Sequence, residues 1–174
     1  MAHKHGHSPV EEHRAKGPRK ARCLVVTVSD TRTLEDDTSG QKACDLLVEG
    51  GHEVREREIV QDDRAKISAL IRAGVANPDI DAVILTGGTG VGPRDVTWEA
   101  VGDVLEQPLD GFGELFRSLS FAEIGAAAML SRAIGGVTGH TVIFALPGST
   151  KAVELGVRKL IAPELGHILG LIAP

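Results

Sequence analysis

A unit made of an apolar strand, a polar loop and an amphipathic helix occurs three times in the chain. The sequence predicts strands at 23–28, 53–60 and 81–86, and helices at 38–49, 64–76 and 95–105. The strands contain β-branched residues, and apolar residues recur in the helices at helical spacing. Because parallel strands must be joined by a crossover, usually a helix, this alternation predicts a parallel sheet with helices on both faces.

The last part of the chain departs from this unit. It predicts short helices at 111–117 and 121–129, strands at 131–137 and 140–146, and closing helices at 150–161 and 163–171. The dipeptide Thr138-Gly139 between the two strands favours a hairpin. The expected fold is therefore an α/β protein, a three-layer α/β/α sandwich whose mostly parallel sheet carries one antiparallel edge strand or hairpin.

The composition of the 174 residues restricts both the core and the partners. Hydrophobic residues make up 42% of the chain, but it has only four Phe, one Trp and no Tyr, so the core must be mainly aliphatic. Buried parallel strands suit such a core. The formal net charge is -5. Because a basic groove with aromatic stacking platforms is absent from this composition, no nucleic acid partner is expected.

The chain divides into a polar tail and one domain. Residues 1–20 hold five basic and two acidic side chains and are predicted to form a disordered tail,. Four histidines of the tail could bind a transition metal, but such clusters are more often solvated, and no function is assigned to them: His3, His5, His7 and His13. Residues 21–174 form the predicted domain. Its charge is near -8, so an anion site there must arise from local geometry.

Cysteine usage and hydropathy indicate the compartment. Cys23 and Cys44 each lie in an apolar segment, which favours buried thiols in a reducing compartment over a disulfide or a catalytic thiol,. No run approaches the ~18 consecutive apolar residues of a membrane span. The N-terminus also lacks the apolar stretch of a secretory signal,. A cytoplasmic protein with no membrane partner is expected.

Four loops follow the ends of predicted strands. In an open parallel sheet, ligands bind outside the carboxyl ends of the strands, where loops meet the following helices. The loops at that edge are Ser29-Asp30-Thr31, Gln61-Asp62-Asp63, 87–95 and Pro147-Gly148-Ser149. Each is richer in Gly, Ser, Thr or Asp than a simple connection requires. We therefore expect one binding site built from these loops.

The loop after the third strand has the clearest pattern, with four glycines among the six residues from Gly87 to Gly92. Glycines allow positive φ angles and close approach of backbone N–H groups, and Arg94 adds a positive charge, so a phosphate or carboxylate is the expected ligand. The alternative is a tight turn that needs glycine only for its geometry. No Lys follows as in a Walker loop, and Pro93 stands where a dinucleotide fingerprint needs glycine.

Two aspartates stand at the ends of neighbouring strand–helix units. Asp62 and Asp95 would repel a phosphate unless a hard cation such as Mg²⁺ lay between them, and Mg²⁺ is typically held by one or two carboxylates together with substrate phosphates. The pair therefore indicates phosphoryl or nucleotidyl chemistry. The alternative is helix capping, for which Asp63 is the better candidate of its pair. Asp37 or Thr38 and Thr97 are the expected caps of the first and third helices.

These residues fall within eight motifs that resemble the MoaB/MogA proteins of molybdenum cofactor biosynthesis. The motifs are VSDTR at 28–32, DTSG at 37–40, IVQD at 59–62, LTGGTG at 85–90, RDVT at 94–97, GFGELFR at 111–117, AMLSRA at 128–133 and LPGS at 146–149. The resemblance covers about residues 22–170, and its GFGELFR segment is most similar to MoaB. It implies a MogA-like fold that assembles as a trimer or hexamer.

The family resemblance also implies an activity. The terminal phosphate of molybdopterin attacks the α-phosphate of Mg-ATP, which gives adenylated molybdopterin and pyrophosphate. The family's two functional aspartates match Asp62 and Asp95, which would be the catalytic and metal-binding residues. Ligand-binding positions match the remaining candidates: Ser29, Asp30, Gly87, Gly88, Thr89, Gly90, Glu114, Ser131, Pro147, Gly148 and Ser149. Arg32, Arg94 and Arg117 are candidates for the pterin phosphate, with solvated surface residues as the alternative.

One position departs from the family pattern, and two alternative functions compete with the one that the resemblance implies. The family usually has proline after RDVT, whereas this chain has Trp98, which could cover an adenine or pack on a neighbouring helix. The protein could be a weak or inactive paralogue that binds molybdopterin or acts as a scaffold for other cofactor biosynthesis proteins. A dinucleotide oxidoreductase is disfavoured by the missing fingerprint. The small residues at 126–128 would allow close contact between subunits.

Overall fold

Six strands form one sheet in the order β2-β1-β3-β6-β5-β4. The computed structural model describes residues 20–173, so the predicted tail lies outside the described residues except for Lys20. The strands are β1 Arg22–Val28, β2 Glu53–Val60, β3 Ala82–Thr86, β4 Gln107–Pro108, β5 Ile134–Thr138 and β6 Thr141–Leu146. Strands β2, β1, β3 and β6 run parallel, and β5 and β4 add antiparallel pairings.

Helices cover both faces of this sheet. They are α1 Thr38–Glu49, α2 Arg64–Ala76, α3 Thr97–Gly102, α4 Asp110–Ile124, α5 Thr150–Gly156 and α6 Ala162–Ile172. A 3₁₀ segment, Gly125–Leu130, follows α4, and a π-helical turn, Val157–Ile161, joins α5 to α6. The expected α/β/α class with an antiparallel edge is thus confirmed.

Alternation along the central strands divides the core into two layers. On β1, Cys23 and Val25 face the layer covered by α1, α4, α5 and α6, whereas Leu24 and Val26 face α2 and α3. Successive side chains of a strand point to opposite faces, so an unbroken apolar strand supplies both layers. Every residue of β3 and β6 is buried, which places the carboxyl ends of β1, β3 and β6 at the centre of one sheet edge.

Most predicted elements agree with the structure, and the differences lie in the C-terminal half. The two short helices expected at 111–117 and 121–129 are one α-helix that ends at Ile124, followed by a 3₁₀ segment that begins at Gly125, whose φ of 65° suits glycine,. The two closing helices are likewise continuous, because the π-helical turn carries the chain from α5 into α6. Local patterns do not reveal such junctions, since both sides are helical.

The third helix and the hairpin are shorter than predicted. Helix α3 covers Thr97–Gly102 rather than 95–105, and its N-cap is Val96, so the expectation that Thr97 caps it was wrong. Thr97 lies inside the first turn with a buried hydroxyl that has no hydrogen-bond partner. The hairpin strand begins at Ile134, and its turn is formed by residues 139–140. The two-residue strand β4 is too short to leave a sequence pattern.

Asp37 links the end of β1 to the start of α1. Its side chain is 0% exposed and accepts hydrogen bonds from Thr27 Oγ1 at 2.6 Å, Gly40 N at 3.0 Å and Arg57 Nη2 at 3.0 Å. Burial raises the pKa of this carboxyl, but the hydrogen bonds from Thr27, Gly40 and Arg57 outweigh burial and hold the pKa below its ordinary value,. The expected cap at Asp37 is confirmed. The same carboxylate also forms an ion pair with Arg57.

Replacing Asp37 by Asn should lower the free energy of unfolding by about 2–4 kcal/mol at pH 7, because the half-buried Arg57 loses the buried anionic partner to which it donates,. A carboxyl with a lowered folded-state pKa stabilises the fold above its unfolded pKa and loses that effect as pH falls through the folded value. The difference between Asp37→Asn and the parent should therefore shrink below about pH 4. Urea unfolding from pH 2.5 to 7 measures it.

The matched control is Asp45→Asn in the same helix, where the exposed carboxylate accepts one bond from Gln41. Its effect on unfolding should stay within about 0.5 kcal/mol. Equal losses in both variants, or a difference that grows on acidification, would contradict the role assigned to Asp37.

Candidate functional site

The carboxyl ends of β1, β3 and β6 open into a cavity of about 400 Å³, which we call the edge cavity. It is lined by Thr27, Val28, Ser29, Arg32, Thr86, Gly87, Gly148 and Ser149. Thr86 Oγ1 donates to the carbonyl of Pro147 at 3.4 Å, which ties the third strand to the loop after β6. Three loops predicted from the sequence therefore meet here, as the strand order requires.

The glycine loop, residues 87–95, is held close to its neighbours. Gly87 and Gly88 have φ angles of 101° and 65°. A Cβ on Gly87 would lie 2.4 Å from the carbonyl oxygen of Val28, and one on Gly88 would lie 2.3 Å from Thr97 Oγ1 and 3.0 Å from Asp62 Oδ1. Both conformation and space thus require glycine. The same absence of side chains lets the loop backbone face Asp62.

Asp62 and Asp95 both contact this loop. Asp62 Oδ1 lies beside Gly88, and Asp95 Oδ2 accepts the backbone N–H of Gly92 at 2.8 Å. Neither carboxylate caps a helix: Asp63 caps α2 by accepting from Lys66 N at 2.9 Å, and α3 has no side-chain cap. The capping alternative is therefore wrong for both aspartates, while the cap expected at Asp63 is confirmed.

The surroundings of Asp62 carry an excess of negative charge. Asp30 accepts the backbone N–H of Asp62 at 3.2 Å and forms an ion pair with Arg94. Burial raises the pKa of Asp62, and the negative charges of Asp30 and Asp95 raise it further, while Arg94 lowers it,. Burial is the largest cause of this upward shift, and Arg94, which forms an ion pair with Asp30, offsets only part of it.

The donor set suits a cation shared with a ligand. Among residues 20–173, no group of three or more His, Cys, Asp or Glu side chains is arranged to hold a metal ion. Mg²⁺ commonly needs only one or two carboxylates when substrate phosphates complete its shell. The unpartnered hydroxyl of Thr97, which lies against the space beside Gly88, is a further oxygen at this position. Asp62, Asp95 and Thr97 thus present three oxygen groups of the kind that Mg²⁺ prefers against the same glycine loop,.

The three candidate arginines lie in different surroundings. Arg32 lines the edge cavity, and its Nη1 donates to Ser39 Oγ at 2.6 Å and to Asp37 at 3.4 Å. Arg94 forms an ion pair with Asp30, so its positive charge is already partly neutralised by a carboxylate of the protein. Arg117 lies away from the edge cavity and lines a second one. Only Arg32 thus brings a positive group to the edge cavity.

A second cavity, of about 450 Å³, lies beyond α3, and we call it the Trp98 cavity. Its lining includes Trp98, Leu105, Glu114, Arg117, Ile134 and Gly135. Ser131 is adjacent, since its carbonyl accepts from Arg117 Nη1 at 3.5 Å. The predicted residues Glu114 and Ser131 are therefore not part of the edge cavity, whose lining shares no residue with the Trp98 cavity.

Arg132 joins the glycine loop to α3 and was not identified from the sequence. Its Nε donates to the carbonyl of Gly90 at 2.7 Å and its Nη2 to the carbonyl of Asp95 at 2.9 Å. Its backbone N–H donates to the carbonyl of Thr89 at 3.2 Å. One guanidinium thus binds the middle of the loop and its far end. The only sequence signal was its place in the AMLSRA motif, because the contacts join segments about forty residues apart.

The remaining groups of Arg132 are also engaged. The guanidinium forms an ion pair with Glu99, and its carbon lies 5.8 Å from the ring centroid of Trp98. The hydrogen bonds from Arg132 hold the pKa of Glu99 below its usual range. A planar guanidinium with five donors suits this task, because it can bind two carbonyls and a carboxylate at once.

Two sequence expectations concern residues outside the site. Cys23 and Cys44 are buried and unpaired, and burial raises the pKa of the Cys23 thiol to about 12. Neither thiol is suited to nucleophilic chemistry, because the thiolate is the reactive form. Between residues 20 and 173, the structure contains no helix that is long and apolar enough to cross a membrane.

Fold and site together define a class: a doubly wound α/β protein with a glycine loop and acidic side chains at the carboxyl edge of its sheet. A family model described as "Probable molybdopterin binding domain" matches residues 24–167. The chain belongs to the MoaB/MogA family of molybdenum cofactor biosynthesis proteins. This membership confirms the family that the sequence motifs indicated.

Individual relatives agree with this assignment. "Molybdenum cofactor biosynthesis protein B" of Bacillus cereus is 53% identical over 160 residues, which cover 91% of this chain and 95% of that protein. A crystal structure of a protein of the same name has a TM-score of 0.87 at 52% identity and covers 89% of this chain and 97% of that chain. The tungsten cofactor synthesizing protein MoaB from Pyrococcus furiosus has a TM-score of 0.81 at 34% identity, with 90% and 99% covered.

Replacing Arg132 by Gln should loosen the glycine loop while the fold persists, because the two loop carbonyls lose charged donors. Hydrogen bonds to charged groups contribute about 1.5–3 kcal/mol each, so amide exchange at Gly92 and Thr97 should accelerate about tenfold or more. Hydrogen exchange with residue-level resolution provides the measurement. Arg64→Gln, which removes an exposed ion pair with Asp103, is the control and should leave loop exchange unchanged.

Unchanged exchange at Gly92 in Arg132→Gln would show that the loop holds its conformation without the guanidinium.

Proposed function

We propose that this protein transfers AMP from Mg-ATP to the terminal phosphate of molybdopterin and releases pyrophosphate. The observation that carries the proposal is the placement of Asp62 and Asp95 against the same glycine loop, outside the carboxyl ends of the central strands. Family membership supports molybdopterin as the partner. The reaction forms a bond between a molybdopterin phosphate oxygen and the α-phosphorus, and breaks the bond from that phosphorus to the bridging oxygen of pyrophosphate.

This reaction requires the protein mainly to position the two phosphates and to neutralise their negative charge. The attacking phosphate is already an anion, so no general base is needed to activate it. Glycine at 88 and 90 lets the loop backbone lie against Asp62, Thr97 and Asp95, since a side chain at either position would clash with them. Arg132 keeps this backbone in place. These interactions match the way enzymes favour phosphoryl transfer, by orienting two anions and shielding their charge.

Asp62 and Asp95 would hold the magnesium ion that accompanies the triphosphate, with the Thr97 hydroxyl beside them. When bound, magnesium neutralises charge on the phosphate oxygens during displacement. The environment of Asp62 is compatible with this role, because burial and the nearby carboxylates Asp30 and Asp95 raise its pKa and a cation would offset both effects. Asp30 contributes to that charge and, through its bond to Asp62 N, fixes the backbone that presents the carboxylate.

The edge cavity supports a second phosphate position. Arg32 brings the cationic group to this cavity, and the loop containing Gly148 and Ser149 forms its opposite wall. Arg32 is anchored by Ser39 and Asp37, so its guanidinium is oriented before a ligand binds. Preorganised donors of this kind lower the cost of binding an anion. We place the activity in the cytoplasm, where the free thiols Cys23 and Cys44 would remain reduced,.

We also propose that the chain acts as a homo-oligomer, a trimer or a hexamer. Apolar side chains are exposed on the second half of α4 and the 3₁₀ segment that follows: Phe121, Ile124, Met129 and Leu130. Ala126 and Ala127 lie between them and are also exposed. Monomeric proteins rarely expose such contiguous apolar surface, whereas subunit interfaces bury it.

Asp62→Asn and Asp95→Asn should each lower turnover by about tenfold or more, because a neutral amide binds the cation that accompanies the phosphates less tightly than a carboxylate does. Both variants should unfold at the parent's denaturant midpoint within error. Formation of adenylated molybdopterin from molybdopterin and Mg-ATP, followed anaerobically by mass spectrometry, is the assay. Asp45→Asn serves as the control with full activity expected.

Absence of any product from the parent protein, with normal binding of molybdopterin, would favour the alternative function of a molybdopterin-binding or scaffold protein. Full activity in either aspartate variant would show that the replaced residue is not needed to bind magnesium.

Changing Phe121 or Met129 to Asp should dissociate the assembly, because a carboxylate would have to be buried in an apolar interface. These side chains are 62% and 73% exposed in the single chain. Light scattering after size exclusion should give three or six times 18.3 kDa for the parent and a lower multiple for the variants. Leu34→Asp tests whether any added surface charge has this effect, since Leu34 is 52% exposed on a different loop. A monomeric parent would refute the proposal.

A further inference from the structure

His52 lies between the end of α1 and the start of β2, and its imidazole joins segments that are distant in sequence. The residue is only 6% exposed. The backbone N–H of Ala21, just before β1, donates to Nδ1 at 3.2 Å, and Nε2 lies 2.9 Å from the carbonyl oxygen of Ala162, where the π-helical turn meets α6. The imidazole therefore connects the entry to the sheet with the C-terminal helices.

The two partners fix the tautomer of this ring. A backbone N–H can only donate, so Nδ1 of His52 must be the acceptor, and a carbonyl oxygen can only accept, so Nε2 must carry the hydrogen. Neutral imidazole offers this combination of one acceptor and one donor, whereas imidazolium has two N–H groups. Protonation of His52 would direct a second N–H at the N–H of Ala21. It would therefore replace a buried hydrogen bond by two donors that face each other.

The backbone around the ring holds the imidazole in this position. The N–H of His52 donates to the carbonyl of Leu47 at 2.9 Å, and a Cβ on Gly50 would lie 2.8 Å from the Cβ of Ala162, so the end of α1 packs closely on the start of α6. Pro163 has no N–H, and its ring would clash with the carbonyl four residues earlier in a regular α-helix, which accounts for the π-helical turn,. His52 thus binds the helix backbone at its irregular point.

No carboxylate supports a positive charge on this ring. The charged side chains of the surrounding elements pair among themselves: Lys20 and Arg55 with Glu53, Arg22 with Asp81, Arg158 with Glu49, and His167 with Glu164. Within residues 20–173, none of the ion pairs includes His52. The contacts of the imidazole therefore favour its neutral form, and no counter-ion offsets the loss of the bond from Ala21.

We propose that His52 is a pH-sensitive latch. The neutral imidazole holds the start of β1 against the junction of α5 and α6, and its protonation releases both segments without unfolding the central sheet. Histidine changes charge between about pH 8 and about pH 5 in proteins, so release falls in that range. The latch lies at the amino ends of β1 and β2, whereas the candidate site lies at the carboxyl ends. The proposal therefore does not depend on the proposed function.

Amide hydrogen exchange of the full protein from about pH 7.5 to about pH 5 tests the latch, with protection factors used to remove the intrinsic pH dependence of exchange. Protection at Ala21 should fall about tenfold or more on acidification, because a buried hydrogen bond is lost, and protection at Leu165 in α6 should fall with it. Val25 and Ile84 in the central strands should remain about a hundredfold more protected than Ala21 throughout, as expected for a local opening.

Nitrogen NMR of the histidine rings follows the cause. His52 should show the Nε2–H tautomer at about pH 7.5, and its protonation should follow the same curve as the loss of protection at Ala21. His52→Gln retains a donor and an acceptor that do not titrate, so protection at Ala21 should vary less than about threefold over the same range. His140→Gln and His167→Gln are matched controls, because both rings belong to contacts of α6, and they should keep the parent's pH dependence.

Four outcomes would overturn the latch. The first is a parent-like pH dependence in His52→Gln, and the second is its loss in either control variant, since each assigns the effect to another group. The third is an Nδ1–H tautomer at neutral pH, which cannot accept from Ala21. The fourth is equal protection at Ala21 and Ile84, which would mean that release requires global unfolding. If His52→Gln does not fold, the parent alone decides, because a ring that stays neutral while protection at Ala21 falls would also refute the proposal.

Discussion

The close approach of the glycine loop to the ends of β1 and α3 is the constraint on which the site depends. At Gly87 a Cβ would lie 2.4 Å from the Val28 carbonyl, and at Gly88 it would lie 2.3 Å from Thr97 Oγ1. Because no side chain fits, the loop backbone lies directly between the strand ends and Asp62. Arg132 then holds the far end of the loop through the carbonyls of Gly90 and Asp95. The position of both acidic residues follows from this packing.

The charges near the sheet edge fall into two kinds. Asp37 is buried, and its hydrogen bonds from Thr27, Gly40 and Arg57 keep its pKa low, so its charge is satisfied by the protein and stabilises the fold. Asp62 has the opposite balance, because burial and nearby carboxylates raise its pKa above the ordinary value. Two carboxylates that follow neighbouring strands thus have opposite pKa shifts. Asp62, whose pKa is raised, is the one that lies beside the glycine loop.

Much of the fold could be predicted because its signals are local. Periodicity, together with the caps at Asp37 and Asp63, located β1, α1, β2 and α2, since each buries a continuous apolar face. The later elements were harder, because their boundaries depend on tertiary contacts. Helix α4 continues past the expected break to Gly125, and β4 exists only through its pairing with β5. Thr97 looked like a cap, but packing against the glycine loop places its hydroxyl inside the structure.

By itself the sequence determined the α/β class and the loops at the carboxyl edge, because strand–helix alternation and glycine spacing are local patterns. It also identified Asp62 and Asp95 as candidate site residues. Only the tertiary structure decided that Arg132 binds the glycine loop and that Arg94 forms an ion pair with Asp30. It also placed Glu114, Arg117 and Trp98 around one cavity. These contacts join residues that are distant in sequence, and their partners are set by how helices pack on the sheet. No local pattern of residues carries that information.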